Sequence, residues 1–417
     1  MTMRLIKEYL LNNQSFLILI CLFSSPLSAK GLQPTFPKPS RALRKELPIS
    51  VKKQGSSFYK KELMDGKFSS WPLQKSSESR GIGIGLKAAW KIFKKKQDVI
   101  VAVIDTGIDP YHPHLIKNLY APKGTPSSKN YGVDFSKGAA FKNRPYDQHG
   151  HGTHVAGIIK SIFPDVKILS LKYYNPKASG KENLKSTIAA LRYAVDLGVD
   201  IINYSSGGPE SANEERRILE KAKKKGILVI TAAGNEKSNI DLPHKKNAYY
   251  PASYVLPNIL TVMAHTSSLK ILKDSNYGRS SVDISAPGQR INSSLPKSRK
   301  GYLSGTSQST AFVSGVAALL KANYPHLTFV ELKMIIKKSA IKSSIFAGKS
   351  ITSGRLSAKK ALELARSLYS PQLLSPKLAL TSRSPGSKTQ RKKVLKKLTK
   401  KSGKIHYRLR TSSRLWP

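Results

Sequence analysis

The sequence predicts an α/β fold: a doubly wound, mostly parallel sheet with helices on both faces, flanked by disordered N- and C-terminal extensions. Three observations carry this expectation. Apolar strand-like runs alternate with amphipathic segments from Leu86 to Ser339, the rhythm of strand–helix units around a sheet buried on both faces. Two residues of chemical interest, Asp105 and Asn235, stand at or just after the ends of such runs, where open α/β sheets place their sites. The two ends of the chain, by contrast, are basic, Pro- and Ser-rich and show little periodicity.

Taken in order, Arg4 and Lys7 precede a short apolar core, Ser15 to Phe23, and SSPLSA closes on a small residue, Ala29. That is the pattern of an export signal over residues 1–29, and the apolar core is too short for a membrane span. A lipid anchor on Cys21 is disfavoured by the bulky Ile20 before it, and Cys21 is the only cysteine. Cleavage after Ala29 therefore leaves a chain without disulfides. Residues 30–66 read as a linker or short pro-segment, and residues 67–370 as the folded domain. Within the domain a first helix is expected at Leu86–Phe93. Strands follow at Val99–Asp105, Val166–Leu171, Ile201–Ser205, Ile227–Ala233, Ile259–Ala264 and Val282–Ala286. Helical spacing marks Leu184–Leu197, Glu214–Lys225, Ala311–Ala322 and Phe329–Ser339, with a further helix starting in HGTHVAG.

Charge sets this chain apart. Its 72 Lys and Arg against 24 Asp and Glu give +48, a field that attracts anionic surfaces but says nothing about fold. Residues 371–417 hold 14 basic residues and no acid, so this tail is expected to be a solvated, disordered arm. Val394, Leu395 and Leu398 at helical spacing among lysines also suit contact with an anionic surface or membrane. Nucleic acid, met through Tyr407 and Trp416, is the weaker reading.

Four residues carry the chemistry. Ser307 lies in SGTSQSTAFVSG, where small neighbours and a following helix leave N–H groups free near a developing oxyanion. A serine needs a base to become a nucleophile; His151, between Gly150 and Gly152, is the candidate. An imidazole in turn needs a carboxylate to fix its tautomer and support its charge, and Asp105 at a strand end suits that role. Asn235, in AAGN, can aim an amide at the oxyanion. Each has a plainer reading. Asp105 could shape a turn, Ser307 could cap a helix, Asn235 could occupy a turn, and His151 with His154 could bind metal. Their joint occurrence favours the catalytic one.

These motifs resemble those of the subtilisin-like serine endopeptidases, the subtilase family. VIDTGID resembles its Asp motif, HGTHVAG its His motif, AAGNE its oxyanion motif and SGTSQSTAFVSG its Ser motif. The resemblance implies a catalytic triad of Asp105, His151 and Ser307 with Asn235 in the oxyanion hole, acting on protein or peptide substrates. It also implies that Ser205, Ser206 and Gly207 pair with an extended substrate, and that Asp147 is structural. The expected protein is a secreted or periplasmic monomer. No cofactor is expected: calcium is the one to weigh, but His114 stands where calcium-binding relatives carry an Asp, and the usual loop after the His-motif helix is missing. Gln308 replaces the family's usual Met after the nucleophile, which suggests resistance to peroxide, and Ala311 replaces its usual Pro, which favours a regular helix. Glu236 beside Asn235 is the one acid expected to meet a basic P1 side chain. The alternative reading is a catalytically inactive scaffold that binds polyanions through its charge.

Overall fold

A computed structural model describes residues 70–369 except 123 and 243–246. The leader, the whole segment 30–66 and the basic tail lie outside the described residues. A nine-stranded sheet forms the centre. Its strands, in chain order, are β1 (Ile100–Asp105), β2 (Gly132–Asp134), β3 (Lys167–Lys172), β4 (Ile201–Tyr204), β5 (Leu228–Ala232), β6 (Ile259–His265), β7 (Ile284–Pro287), β10 (Ile341–Lys342) and β11 (Gly354–Arg355). They lie in the spatial order β10-β11-β7-β6-β5-β4-β1-β3-β2. All pairs are parallel except β10–β11 at one edge. A separate antiparallel pair joins β8 (Ile291–Leu295) to β9 (Arg299–Leu303).

The order reverses around β1: the chain first builds outward through β3, then returns to lay β4 on the other side of β1. Such a switch opens a crevice at the carboxyl ends of the strands. Strands β4, β5 and β6 are buried along their whole length, which is why they read as unbroken apolar runs rather than alternating ones.

The helices are α1 (Lys75–Ser79), α2 (Leu86–Ile92), α3 (His151–Ile162), α4 (Gly180–Leu197), α5 (Asn213–Lys224), α6 (Thr306–Asn323), α7 (Phe329–Lys338) and α8 (Ala358–Tyr369). α4 and α5 share the apolar cluster of Leu191, Val195, Ile218 and Leu219 with strand residues Ile202 and Val229. α6 is buried at all but one of its residues, Lys321, and packs against α3, β4, β5, β6 and β7. At the α3–α6 crossing a side chain on Gly315 would strike Ile162, so glycine sets how closely these helices approach.

Most boundaries shift by one or two residues from expectation, and two shifts have clear causes. α4 begins at Gly180 because Ser179 and Glu182 form a capping box, which organises a first turn too polar to register as apolar periodicity. α6 begins at Thr306 rather than Ala311, so Ser307 sits inside the first helical turn and is not its cap, which is Gly305. The short strands β2, β8, β9, β10 and β11 and the helix α8 were not anticipated. β9 is partly exposed, and β10 and β11 are two residues each, too brief to leave a periodic signature.

Candidate active site

Asp105 closes β1 between two buried neighbours, β3 and β4. The imidazole of His151, the first residue of α3, donates from Nδ1 to Asp105 Oδ1 at 2.7 Å. Such an approach of helix to strand needs room, and Gly152 supplies it: a Cβ there would run into the Gly107 carbonyl. Gly107 itself has φ of 105°, in the left-handed region. The bend ahead of α3 is built on Asp147, whose buried carboxylate accepts from the backbone N–H groups of His149 (3.0 Å), Gly150 (2.7 Å) and Thr153 (2.9 Å). It also accepts from the Thr106 and Thr153 hydroxyls, at 2.9 and 2.6 Å. An anion at a helix N-terminus that satisfies its orphan donors is doubly favourable. Thr106 completes the brace, its hydroxyl accepting from Gly152 N at 2.9 Å.

Burial alone would drive the His151 pKa down, but the Asp105 carboxylate, with Asp147 beyond it, outweighs that and raises it above 6.5. With Nδ1–H on the carboxylate, Nε2 is left as the basic nitrogen. His154, one turn on, does not join it as a metal ligand. Its Nε2 is held by the carbonyls of Ile291 (2.9 Å) and Gly301 (3.2 Å) on the β8–β9 pair. No cluster of three His, Cys, Asp or Glu suited to a metal occurs among the described residues.

Ser307 reaches the same place from the opposite side of the sheet order. The register Ile104↔Tyr204 sets Asp105 and Ser205 next to each other as β1 and β4 end. The Ser307 hydroxyl donates to the Ser205 carbonyl at 2.9 Å, and the Ser205 hydroxyl donates to the Ser307 carbonyl at 3.2 Å. Ser205 is held in turn by Asn203, which Ser314 of α6 orients (2.8 Å each). Asn235 follows β5 and accepts at Oδ1 from Thr306 N (2.9 Å) and the Thr306 hydroxyl (3.2 Å). This fixes the amide plane and turns its NH2 group away from Thr306. Ser307 N–H belongs to the first turn of α6 and has no intrahelical acceptor.

The sequence matches the Subtilase family over residues 96–379, more than half of the chain. This chain belongs to that family. Among curated relatives, the Major intracellular serine protease of Bacillus subtilis (strain 168) is 33% identical over 242 residues, covering 56% of this chain and 71% of the relative. Subtilisin of Bacillus pumilus is 32% identical over 275 residues, covering 63% of this chain and 91% of the relative. A solved chain from work on subtilase cytotoxin SubAB assembly superimposes with a TM-score of 0.57 at 25% identity, covering 68% of this chain and 94% of that one. The nine-stranded, mostly parallel sheet is thus a subtilase sheet.

Other expectations on this subtilase resolve residue by residue. Ser206 and Gly207 leave β4 with peptide groups that, among the described residues, bond to no other main chain. Glu236 is exposed, and its Oε2 accepts from Asn276 Nδ2 beside Gly234. At the place weighed for calcium the donors differ from the oxygens a hard cation prefers. His114 is a nitrogen donor with Lys160 Nζ 3.4 Å from its Nδ1, and burial together with that ammonium lowers its pKa to about 3. Sequence reading missed Tyr249, whose ring lies against both Gly207 and Gly234. The only cue was a bulky YYP run following the oxyanion motif.

Proposed function

We propose that this subtilase is an exported serine endopeptidase that cleaves internal peptide bonds through an acyl-enzyme. The observation that carries the reading is the His151–Asp105 hydrogen bond of 2.7 Å, set beside a serine hydroxyl held on the carbonyl that neighbours Asp105. Ser307 Oγ would bond to the substrate carbonyl carbon as its proton passes to His151 Nε2. The carbonyl oxygen would take charge between Asn235 Nδ2 and Ser307 N–H. The C–N bond would then break as Nε2 returns the proton to the leaving amine, and water, deprotonated by the same nitrogen, would release the acid. Asp105 holds the tautomer and supports the imidazolium. The free peptide groups of Ser206 and Gly207 suit pairing with an extended substrate. Export rests on the leader in residues 1–29. Among the described residues, no helix is long and apolar enough to cross a membrane.

The test is covalent labelling by a fluorophosphonate. The processed protein is expected to be modified at Ser307, and Ser307→Ala not at all, with casein hydrolysis lost in the same variant. Absence of labelling in the wild type would favour the inactive, polyanion-binding scaffold. N-terminal mass spectrometry of the extracellular or periplasmic fraction tests the leader.

A further inference from the structure

Beyond their last paired residues, Tyr204 and Thr231, β4 and β5 run on into two segments that reach glycine after the same number of steps, Gly207 and Gly234. With no side chain on either, these two segments leave the crevice between them to be filled from elsewhere. On the proposed acyl-enzyme reading, on which this inference rests, the crevice has a definite occupant. The substrate's carbonyl carbon lies at Ser307 and its oxygen at Asn235, while its backbone runs along Ser206–Gly207. The side chain of the residue being acylated, P1, then points between the two glycine-bearing segments.

Tyr249 already occupies that crevice. A Cβ built on Gly207 would lie 2.5 Å from Tyr249 Cε1, and one built on Gly234 would lie 2.7 Å from Tyr249 Cδ2. These two ring carbons are diagonally opposite, so the aromatic ring spans the gap from one wall to the other. The main chain that carries the ring is held in place: Tyr249 N donates to Ser253 Oγ at 3.0 Å, and the next residue pairs with Gly208 through two main-chain bonds, of 2.7 and 3.0 Å. Beneath Gly234 the remaining space is taken by the Asn276 amide and the Glu236 carboxylate, which bond to each other. With the Tyr249 ring against both glycines, the crevice offers no depth for a long side chain.

We infer that Tyr249 is the residue that sets specificity, closing the P1 crevice so that this subtilase cleaves after small residues, Gly, Ala and Ser. A bulky P1 residue would have to displace the ring together with the backbone that holds it. Hydrophobic pockets discriminate by about tenfold or more per misplaced methylene-sized group, and here several such groups would clash.

The full-length chain, purified as the cell processes it, is assayed on a peptide series varied only at P1. Wild type is expected to cleave after Ala at least about tenfold faster, in kcat/KM, than after Leu, Phe or Lys. Tyr249→Gly is expected to reverse the Phe-to-Ala ratio, and Tyr249→Phe, which keeps the ring, to leave the ratio as in wild type. The inference is overturned if wild type accepts Phe or Leu as well as Ala, a result that needs no variant to fold. It is equally overturned if Tyr249→Gly cleaves with an unaltered P1 profile. Fluorophosphonate labelling run in parallel separates the two layers. A labelled enzyme with an indifferent P1 profile sinks only the role of Tyr249, whereas a wild type that takes no label sinks the acyl-enzyme reading and this inference with it.

Discussion

The Ser307 hydroxyl rests on the Ser205 carbonyl at 2.9 Å, at the strand end that adjoins Asp105. It is therefore parked on the main chain, and in the proposed mechanism it would leave that carbonyl to pass its proton to His151 Nε2. Catalytic hydrogen bonds commonly tighten only when substrate arrives. A substrate chain lying along Ser206–Gly207 would supply that occasion.

Asp105→Asn is the first prediction. With the carboxylate gone, Nδ1 loses its acceptor, the wrong tautomer is favoured, and kcat is expected to fall by about 10⁴. The proposed mechanism needs neutral His151, whose pKa is raised above 6.5 chiefly by Asp105 against the opposing effect of burial. The acidic limb of the kcat/KM profile should thus lie above pH 6.5 and shift downward in the variant. Stability runs the other way. The charged His151–Asp105 pair stabilises the fold at pH below the unfolded value, and the contribution fades as pH rises through the raised one. Paired pH–rate and pH–melting curves read both.

Asn235→Ala should lower kcat by about a hundredfold to a thousandfold with little change in KM, since the lost donor acts on the oxyanion. The same change leaves Thr306 N–H without its acceptor, so melting should also fall by about 1 kcal/mol. Asn235→Asp, which keeps an acceptor for Thr306 but no donor, should recover part of the stability and none of the rate.

Acid should unfold this protein early. His114, His154 and His265 are buried, and burial is the main cause that lowers each pKa from 6.5 to about 3. Depressed values mean that their stabilisation is complete above pH 6.5 and is lost progressively as pH falls toward 3, because the unfolded chain binds the protons first. Melting temperature measured from pH 7 to pH 4 should drop steadily, and His265→Gln should flatten the slope.

Asp283→Ala should cost about 3–5 kcal/mol. The carboxylate is buried, accepts from Thr261 N at 2.9 Å, and sits 3.2 Å from Lys333 Nζ and 2.8 Å from Lys337 Nζ. Burial pushes its pKa up, but the two ammonium groups prevail and lower it. Removing it leaves half-buried cations facing each other. Urea denaturation of the variant beside Lys337→Ala, which keeps one partner, measures the difference.

Much of this was legible in residues alone, and the reasons are physical. β4, β5 and β6 are buried from end to end and β1 at all but its first residue, so their apolar runs were unmistakable; Gly-flanked His151 announced its helix start, whereas the helix that carries Ser307 begins at Thr306, ahead of the expected Ala311. What escaped was set by distant contacts. Asp147 could be seen as structural but not as the acceptor of five hydrogen bonds, because its donors come from both sides of a fold-back. Glu236 is exposed, but the bond it accepts from Asn276, forty residues onward, has no sign in the local sequence. Tyr249 showed no periodicity and no motif, and only the meeting of two separate glycines around its ring marks it.

The serine belongs to α6, a helix sheathed on every side by sheet and α3. Regions of this kind exchange amide hydrogens only when the whole domain opens. The proposed nucleophile is therefore anchored in the segment that would be last to loosen, so partial fraying at the surface, the usual first injury to an enzyme surrounded by its own kind, would leave its chemistry intact until cooperative collapse.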